Sequence, residues 1–173
     1  MKTKIISLKK IITKEMALLI GLFFLSFFSP LIGMQAISGP LVNAALFLAT
    51  FFLGIKNALW FAFFPSLIAL FSGIISPVMT PMIPFIISSN IILITLFYYF
   101  KEKFWMGVVL ASFCKFIFLF LSTLVLGKLM FSGEIALKVS SIFGWHQLLT
   151  AILGGFIAYL IVLFINNYRN SSK

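Results

Sequence analysis

Aspartate is absent from the chain, glutamate occurs three times, and histidine and cysteine occur once each. These scarcities exclude whole classes of chemistry. Glu15, Glu102 and Glu134 fall in tails or loops, so no paired carboxylates are available for acid–base work or a proton relay inside a membrane. One histidine (His146) and one cysteine (Cys114) are too few ligands for a metal site built from side chains. A lone Cys114 forms no disulfide within the chain and reads as a small apolar helix residue. The pair Gly127–Lys128 is not a phosphate-binding loop. Ser122 stands where the first glycine belongs and Leu129 where Ser or Thr is required. The chain is therefore read as no enzyme, with no ATPase, no metal and no cofactor of its own.

Charge is scarce as well. Only 9% of the 173 residues are charged and 62% are hydrophobic, including 23 Phe, with a mean hydropathy of +1.21. A soluble domain carries roughly a quarter charged residues, and so apolar a surface aggregates in water. A spanning helix needs about 20 residues, which leaves room for five to seven spans and no separate soluble domain.

The expected organisation is an all-α membrane protein, a bundle of six transmembrane helices over 16–167. A basic cytoplasmic segment, 1–15, precedes it and a cytoplasmic tail, 168–173, follows. The apolar segments run roughly over 16–34, 40–54, 58–74, 82–100, 104–127 and 143–167. Breaks are expected at Gln35–Gly39, Gly54–Asn57, Ser72–Pro81, Lys101–Lys103 and Lys128–Ser141. Pro40 suits a first helical turn, and Pro77, Pro81 and Pro84 suggest a stiff non-helical loop. No internal repeat is evident.

In segment 1–15, Lys2, Lys4, Lys9, Lys10 and Lys14 interleave with Ile and Leu. That pattern fits a helix on an anionic membrane surface, a solvated tail, or the leader of a signal peptide with 16–28 as its apolar region. The second and third segments are short, about 22 Å for 15 residues, so 40–74 reads either as two spans or as a re-entrant hairpin. Charge favours spans. With the N-terminus inside, the five N-terminal lysines, Lys56, Lys101, Lys103, Arg169 and Lys173 all fall inside, against Lys128 and Lys138 outside. This is the positive-inside pattern, and a re-entrant 40–74 would break it. The net charge of +10 then reports topology, and no nucleic-acid motif is present.

Lys115 is the most informative residue. It lies near the middle of its segment, in Phe-Cys-Lys-Phe-Ile-Phe, where a lysine costs about 2.5–3.5 kcal/mol on insertion scales. No acid in the membrane is available to pair with it. It is expected to face a wet cavity, an anionic ligand, or backbone carbonyls and Asn. Asn43 and Asn90 either bond between helices or line the same outward-facing pocket. His146 and Gln147, at the outer start of the sixth segment, are interface residues or further ligand contacts. Trp145, Trp105 and Tyr98–Tyr99 are natural interfacial anchors. Small residues recur at four-residue spacing: Ala17 and Gly21; Ala45 and Ala49; Ala62, Ser66, Ala69 and Gly73; Thr150, Gly154 and Ala158. Such stripes serve packing within a bundle or docking of a partner.

Six segments, a basic N-terminus, short central helices and the Ala17/Gly21 spacing resemble the substrate-binding S components of energy-coupling factor (ECF) transporters. The runs Gly39-Pro40-Leu41-Val42-Asn43-Ala44, Phe64-Pro65-Ser66-Leu67-Ile68-Ala69-Leu70 and Pro81-Met82-Ile83-Pro84-Phe85-Ile86-Ile87-Ser88-Ser89-Asn90 resemble a group of such proteins of uncertain substrate. Some of that group carry an "iron hydrogenase" label. A single cysteine does not hold an iron–sulfur cluster, which takes about four. The resemblance covers nearly the whole chain. It departs from the family in Gly21, where the first-helix motif has a second alanine.

The resemblance implies a mechanism. Such a protein binds a vitamin or related micronutrient in a pocket open to the outside of a prokaryotic plasma membrane. It docks through its first helix, here Ala17 and Gly21, onto a coupling transmembrane protein carrying two ATPase subunits, which topple it to release the substrate inside. On this reading Lys115 holds an anionic group, and Asn43, Asn90 and His146 or Gln147 give hydrogen bonds. Phe residues form the walls, the Pro77–Pro84 loop lies over the pocket, and 35–40 gates it. The alternatives are a structural scaffold of the MreD-like six-span type, in which Lys115 and the asparagines only join helices, and a lipid-acting membrane enzyme. Absent membrane acids and an absent Ser/His/Asp set count against the last.

Overall fold

The computed structural model of the protein describes residues 20–75, 77–130 and 143–171, with the backbone alone at 78, 127–130 and 168–171. The basic segment, Ala17 and most of the expected break at Lys128–Ser141 lie outside the described residues. Within them the chain is helical, with no strand. Helix α1 is Ile20–Ile32, its last turn a 3-10 turn over Ser29–Ile32. Helix α2 is Gln35–Phe71, α3 is Ile83–Phe100, α4 is Phe104–Met130 and α5 is Trp145–Ser171. Four stretches are long and apolar enough to cross a membrane: Gln35–Phe71, Met79–Phe100, Phe104–Leu126 and Trp145–Asn167.

Helix α2 is not one rod. Gly54 has φ 75° and ψ 172°, a conformation essentially restricted to glycine. Three hydrogen bonds show how far the chain turns there. Lys115 Nζ donates to Asn43 Oδ1 at 2.7 Å and to Asn90 Oδ1 at 2.8 Å, and Asn90 Nδ2 donates to the Ala62 carbonyl at 3.1 Å. In a straight helix residues 43 and 62 would stand about 28 Å apart, too far for those links. The chain therefore reverses at Gly54 into two antiparallel arms, 35–53 and 55–71, each about 25–28 Å long. The Asn57 amide donates across the reversal to the Leu53 carbonyl at 3.2 Å, one of the acceptors orphaned where the first arm ends.

Two expected breaks are corrected. Gln35–Gly39 is not a loop: the turn is made earlier, by Gly33 at φ 71° and an extended Met34. Pro40 sits inside the helix, and donation of Ser38 Oγ to Met34 O and of Asn43 Nδ2 to Gly39 O pairs carbonyls near the helix start. The Ser72–Pro81 stretch is only partly non-helical. Gly73, at φ 69°, ends the second arm, and Pro77–Met82 forms a 3-10 turn that runs into α3. Proline's fixed φ suits such a turn, and its missing N–H costs nothing there.

Close helix contact orders the bundle. A Cβ on Gly154 of α5 would lie 2.6 Å from Asn43 Cβ and 2.7 Å from the Pro40 carbonyl, and one on Gly155 would lie 2.3 Å from Val108. Thr150 presses on Gly39, and Ala158 is fully buried. The Thr150/Gly154/Ala158 stripe thus serves packing within the bundle. Far from it on α1, Gly21 has no neighbouring atom within 4 Å of a Cβ position.

The two ends of the bundle differ. At one end Phe97 meets Phe47 at 4.8 Å and Phe104 at 5.2 Å, and Phe104 meets Phe51 at 6.0 Å and Tyr159 at 5.4 Å. The Gly54 reversal, Lys56, the Lys101–Lys103 turn, the start of the described α1 and the end of α5 share that end. The end of α1 and the starts of α2, α3 and α5 share the other.

Replacing Gly154 by Ala should destabilise the protein by about 1–3 kcal/mol through overpacking, and Gly54→Ala by a similar ~1–3 kcal/mol through backbone strain. Gly21→Ala should be neutral. Thermal unfolding in detergent, followed by size-exclusion recovery, ranks the three. A Gly154→Ala protein as stable as Gly21→Ala would contradict the packing described.

Candidate functional site

At the end away from the phenylalanine cluster, a cavity of about 310 Å³ lies among α1, both arms of α2, α3, α4 and the start of α5. Its rim includes the exposed Gly33 and Ile74. Its walls are largely aliphatic, with Val42, Pro65, Ala69, Ile75, Met79 and Ile86 among the lining residues. Phe143 is the single described phenylalanine there. The expectation of phenylalanine walls is corrected among the described residues: other rings face outward, as Phe71 does at 84% exposure, build the core of the other end, or, as Phe85 does, pack with Met82, Leu119 and Phe143 behind the cavity.

Helical period brings Lys115 to the base of this cavity. On α4 the buried positions are Gly107, Val108, Ala111, Ser112, Lys115, Leu119, Ser122 and Thr123, an i, i+3, i+4 stripe, while Phe113, Ile117 and Phe120 face outward. Lys115 is twelfth of the 27 residues of α4 and 3% exposed. Side chains lean toward a helix's N-terminus, and α4 starts at the closed end. The lysine therefore reaches inward, away from the mouth, and snorkelling is opposed by its own helix direction.

Two amides receive it. Asn43 and Asn90 are each 2% exposed. Asn43 Nδ2 donates to Gly39 O at 2.9 Å and Asn90 Nδ2 to Ala62 O at 3.1 Å. With one N–H of each NH₂ group given to a backbone carbonyl, both amide oxygens are turned to Nζ. That is the arrangement an ammonium needs. It uses two of the three N–H donors, and Lys115 itself lines the cavity. Pro65, without an N–H, interrupts the helix ladder of the second arm next to Ala62, where the Asn90 amide lands.

Charge compensation is missing nearby. Glu102 is the one acidic residue among the described residues, and it is exposed at the opposite end. Among the described residues no three His, Cys, Asp or Glu side chains gather into a metal site.

Of the sequence candidates, Lys115, Asn43, Asn90 and Gln147 line the cavity. His146 does not; it is exposed at the start of α5. Gly21 lies on open surface, and Ala17 is outside the described residues. The expected gate at 35–40 is the first turn of α2, whose Gln35, Ser38 and Gly39 line the cavity. From the expected proline loop, Met79 lines it, with Ile74 and Ile75 just before.

Ser66 escaped the sequence reading as a site residue. It lines the cavity at 3% exposure, and its Oγ has no hydrogen-bond partner. The signal was present: it is the one hydroxyl in a stripe otherwise of Ala and Gly.

A double-mutant cycle on Lys115→Met and Asn90→Leu should give a coupling energy of about 0.6–1.7 kcal/mol in detergent stability, the range of hydrogen bonds between membrane helices. Additive effects would mean that ammonium and amide are not joined.

The chain was compared with known protein families, with curated proteins and with solved structures, and none of them matches it.

Proposed function

We propose that the chain is the membrane-embedded substrate-binding subunit of an ATP-driven importer, of the ECF S-component kind, for a vitamin or related micronutrient in a prokaryotic plasma membrane. The observation that carries this reading is a buried lysine at the base of a 310 Å³ cavity, held by two amides with no described carboxylate near it. Small-molecule sites have about this size and pair apolar walls with a few converging polar groups. A purely structural lysine has no use for the cavity beside it.

On this reading α1, both arms of α2, α3, α4 and α5 are the six spans. Lys56, Lys101 and Lys103 mark the cytoplasmic end, as the positive-inside rule requires, and the cavity faces outward. The chain hydrolyses no ATP, so energy comes from a coupling protein with two ATPase subunits, docked on α1 through the Ala17/Gly21 stripe. The fact that Lys115 ties α2, α3 and α4 together also suits the scaffold alternative.

Affinity purification in mild detergent, with mass spectrometry of proteins and small molecules, separates the two. The expected result is a coupling protein, two ATPases and a metabolite that is lost from Lys115→Met at unchanged expression. Cell-shape or division proteins with no small molecule would overturn the importer. Topology is checked separately: green fluorescent protein fused after Lys173 should fluoresce and alkaline phosphatase there should be inactive. Active phosphatase would reverse the orientation.

A further inference from the structure

The cavity's donors, charge and walls narrow the class of ligand. We infer that it takes a small monocarboxylate with an aliphatic body, an inference that rests on the substrate-binding reading above.

The base of the cavity offers donors. The Lys115 ammonium has spent two of its three N–H groups, on Asn43 and Asn90, and each of those amides has already turned an N–H to a backbone carbonyl. Ser66, 3% exposed, lines the same cavity, and its Oγ has no hydrogen-bond partner. A free ammonium N–H and a free O–H are met by a group with two acceptor oxygens, and a carboxylate has them.

The charge count is one. Among the described residues Lys115 is the only Lys or Arg that lines the cavity, and no described acid lines it. A monoanion balances it. A doubly charged phosphate would bring a second negative charge into an apolar site without a partner, at a desolvation cost. A cation would meet like charge.

The walls argue for the body. Val42, Ile74, Ile75, Met79 and Ile86 present branched or flexible aliphatic surface, with one phenylalanine, Phe143. Among the described residues no pair of rings stands ready to sandwich an aromatic ligand. The volume of about 310 Å³ corresponds to about ten groups of water size at ~30 Å³ each, the scale of an eight-carbon acid.

The test uses the full-length protein in lipid nanodiscs with radiolabelled octanoate. Wild type should bind it saturably. Lys115→Met should bind at least about ten-fold more weakly, and Ser66→Ala, which leaves the Lys115 bonds in place, several-fold more weakly, as expected for loss of hydrogen bonds to a charged group. 1-Octanol, octylamine and octyl phosphate should each compete at least about ten-fold less well than octanoate. Equal binding by wild type, Lys115→Met and Ser66→Ala would mean partition into lipid and overturn the inference. So would octyl phosphate or 1-octanol competing as well as octanoate. If octanoate fails while a neutral, cationic or multiply charged metabolite co-purifies with wild type and not with Lys115→Met, the carboxylate class falls and the binding subunit stands. If no small molecule is bound in either experiment, both fall.

Discussion

A buried lysine with no acid near it among the described residues is the constraint on which the arrangement depends. Leaving an ammonium inside an apolar bundle is tolerable only if dipoles replace the missing charge. Here two amide oxygens do so, and each amide is aimed by a second bond to a backbone carbonyl. The requirement propagates outward. Because α2 folds back at Gly54 rather than running on, its first arm brings Asn43 to the lysine and its second brings Ala62 to Asn90. The first arm is fixed because Gly154 lets α5 touch the backbone at Pro40. Asn90 finds its carbonyl beside the proline of the second arm. Three helices are thus registered by one cation.

Much of this was legible in the sequence. Apolar segment lengths and the Lys101–Lys103 turn gave the helices, and the absence of aspartate singled out Lys115. An asparagine partner was one of the readings left open for Lys115, beside a wet cavity, an anionic ligand and backbone carbonyls. What the sequence concealed was conformational. Gly33 and Gly73 at positive φ moved the breaks away from the positions that proline suggested. In an apolar helix a proline's unpaired carbonyl is met by neighbouring groups, so Pro40 marks no boundary.

The site's walls were misread for a related reason. Phenylalanine abundance suggests a ring-lined pocket only if outside and inside are chemically different. In a chain this apolar they are not, and the outward face uses phenylalanine as freely as the core. Ser66 was hidden by its size: spaced with Ala62, Ala69 and Gly73, it reads as a packing residue until its hydroxyl is seen without a partner. His146, exposed at the start of α5, suits the interfacial of its two readings.

The phenylalanine layer has a consequence for permeability. Immediately beyond the asparagines, toward the Lys56 end, lie Phe47, Leu93, Ile94 and Phe97, all fully buried, with Phe104 edge-on to Phe97. Past Asn43 and Asn90 this layer is mainly apolar, with the buried hydroxyls of Thr50 and Ser112 its polar groups on α2 and α4. Were the bundle set in a membrane, a layer of this kind would oppose the passage of ions between the cavity and the Lys56 end, since an ion entering it would lose its water without gaining a charged partner.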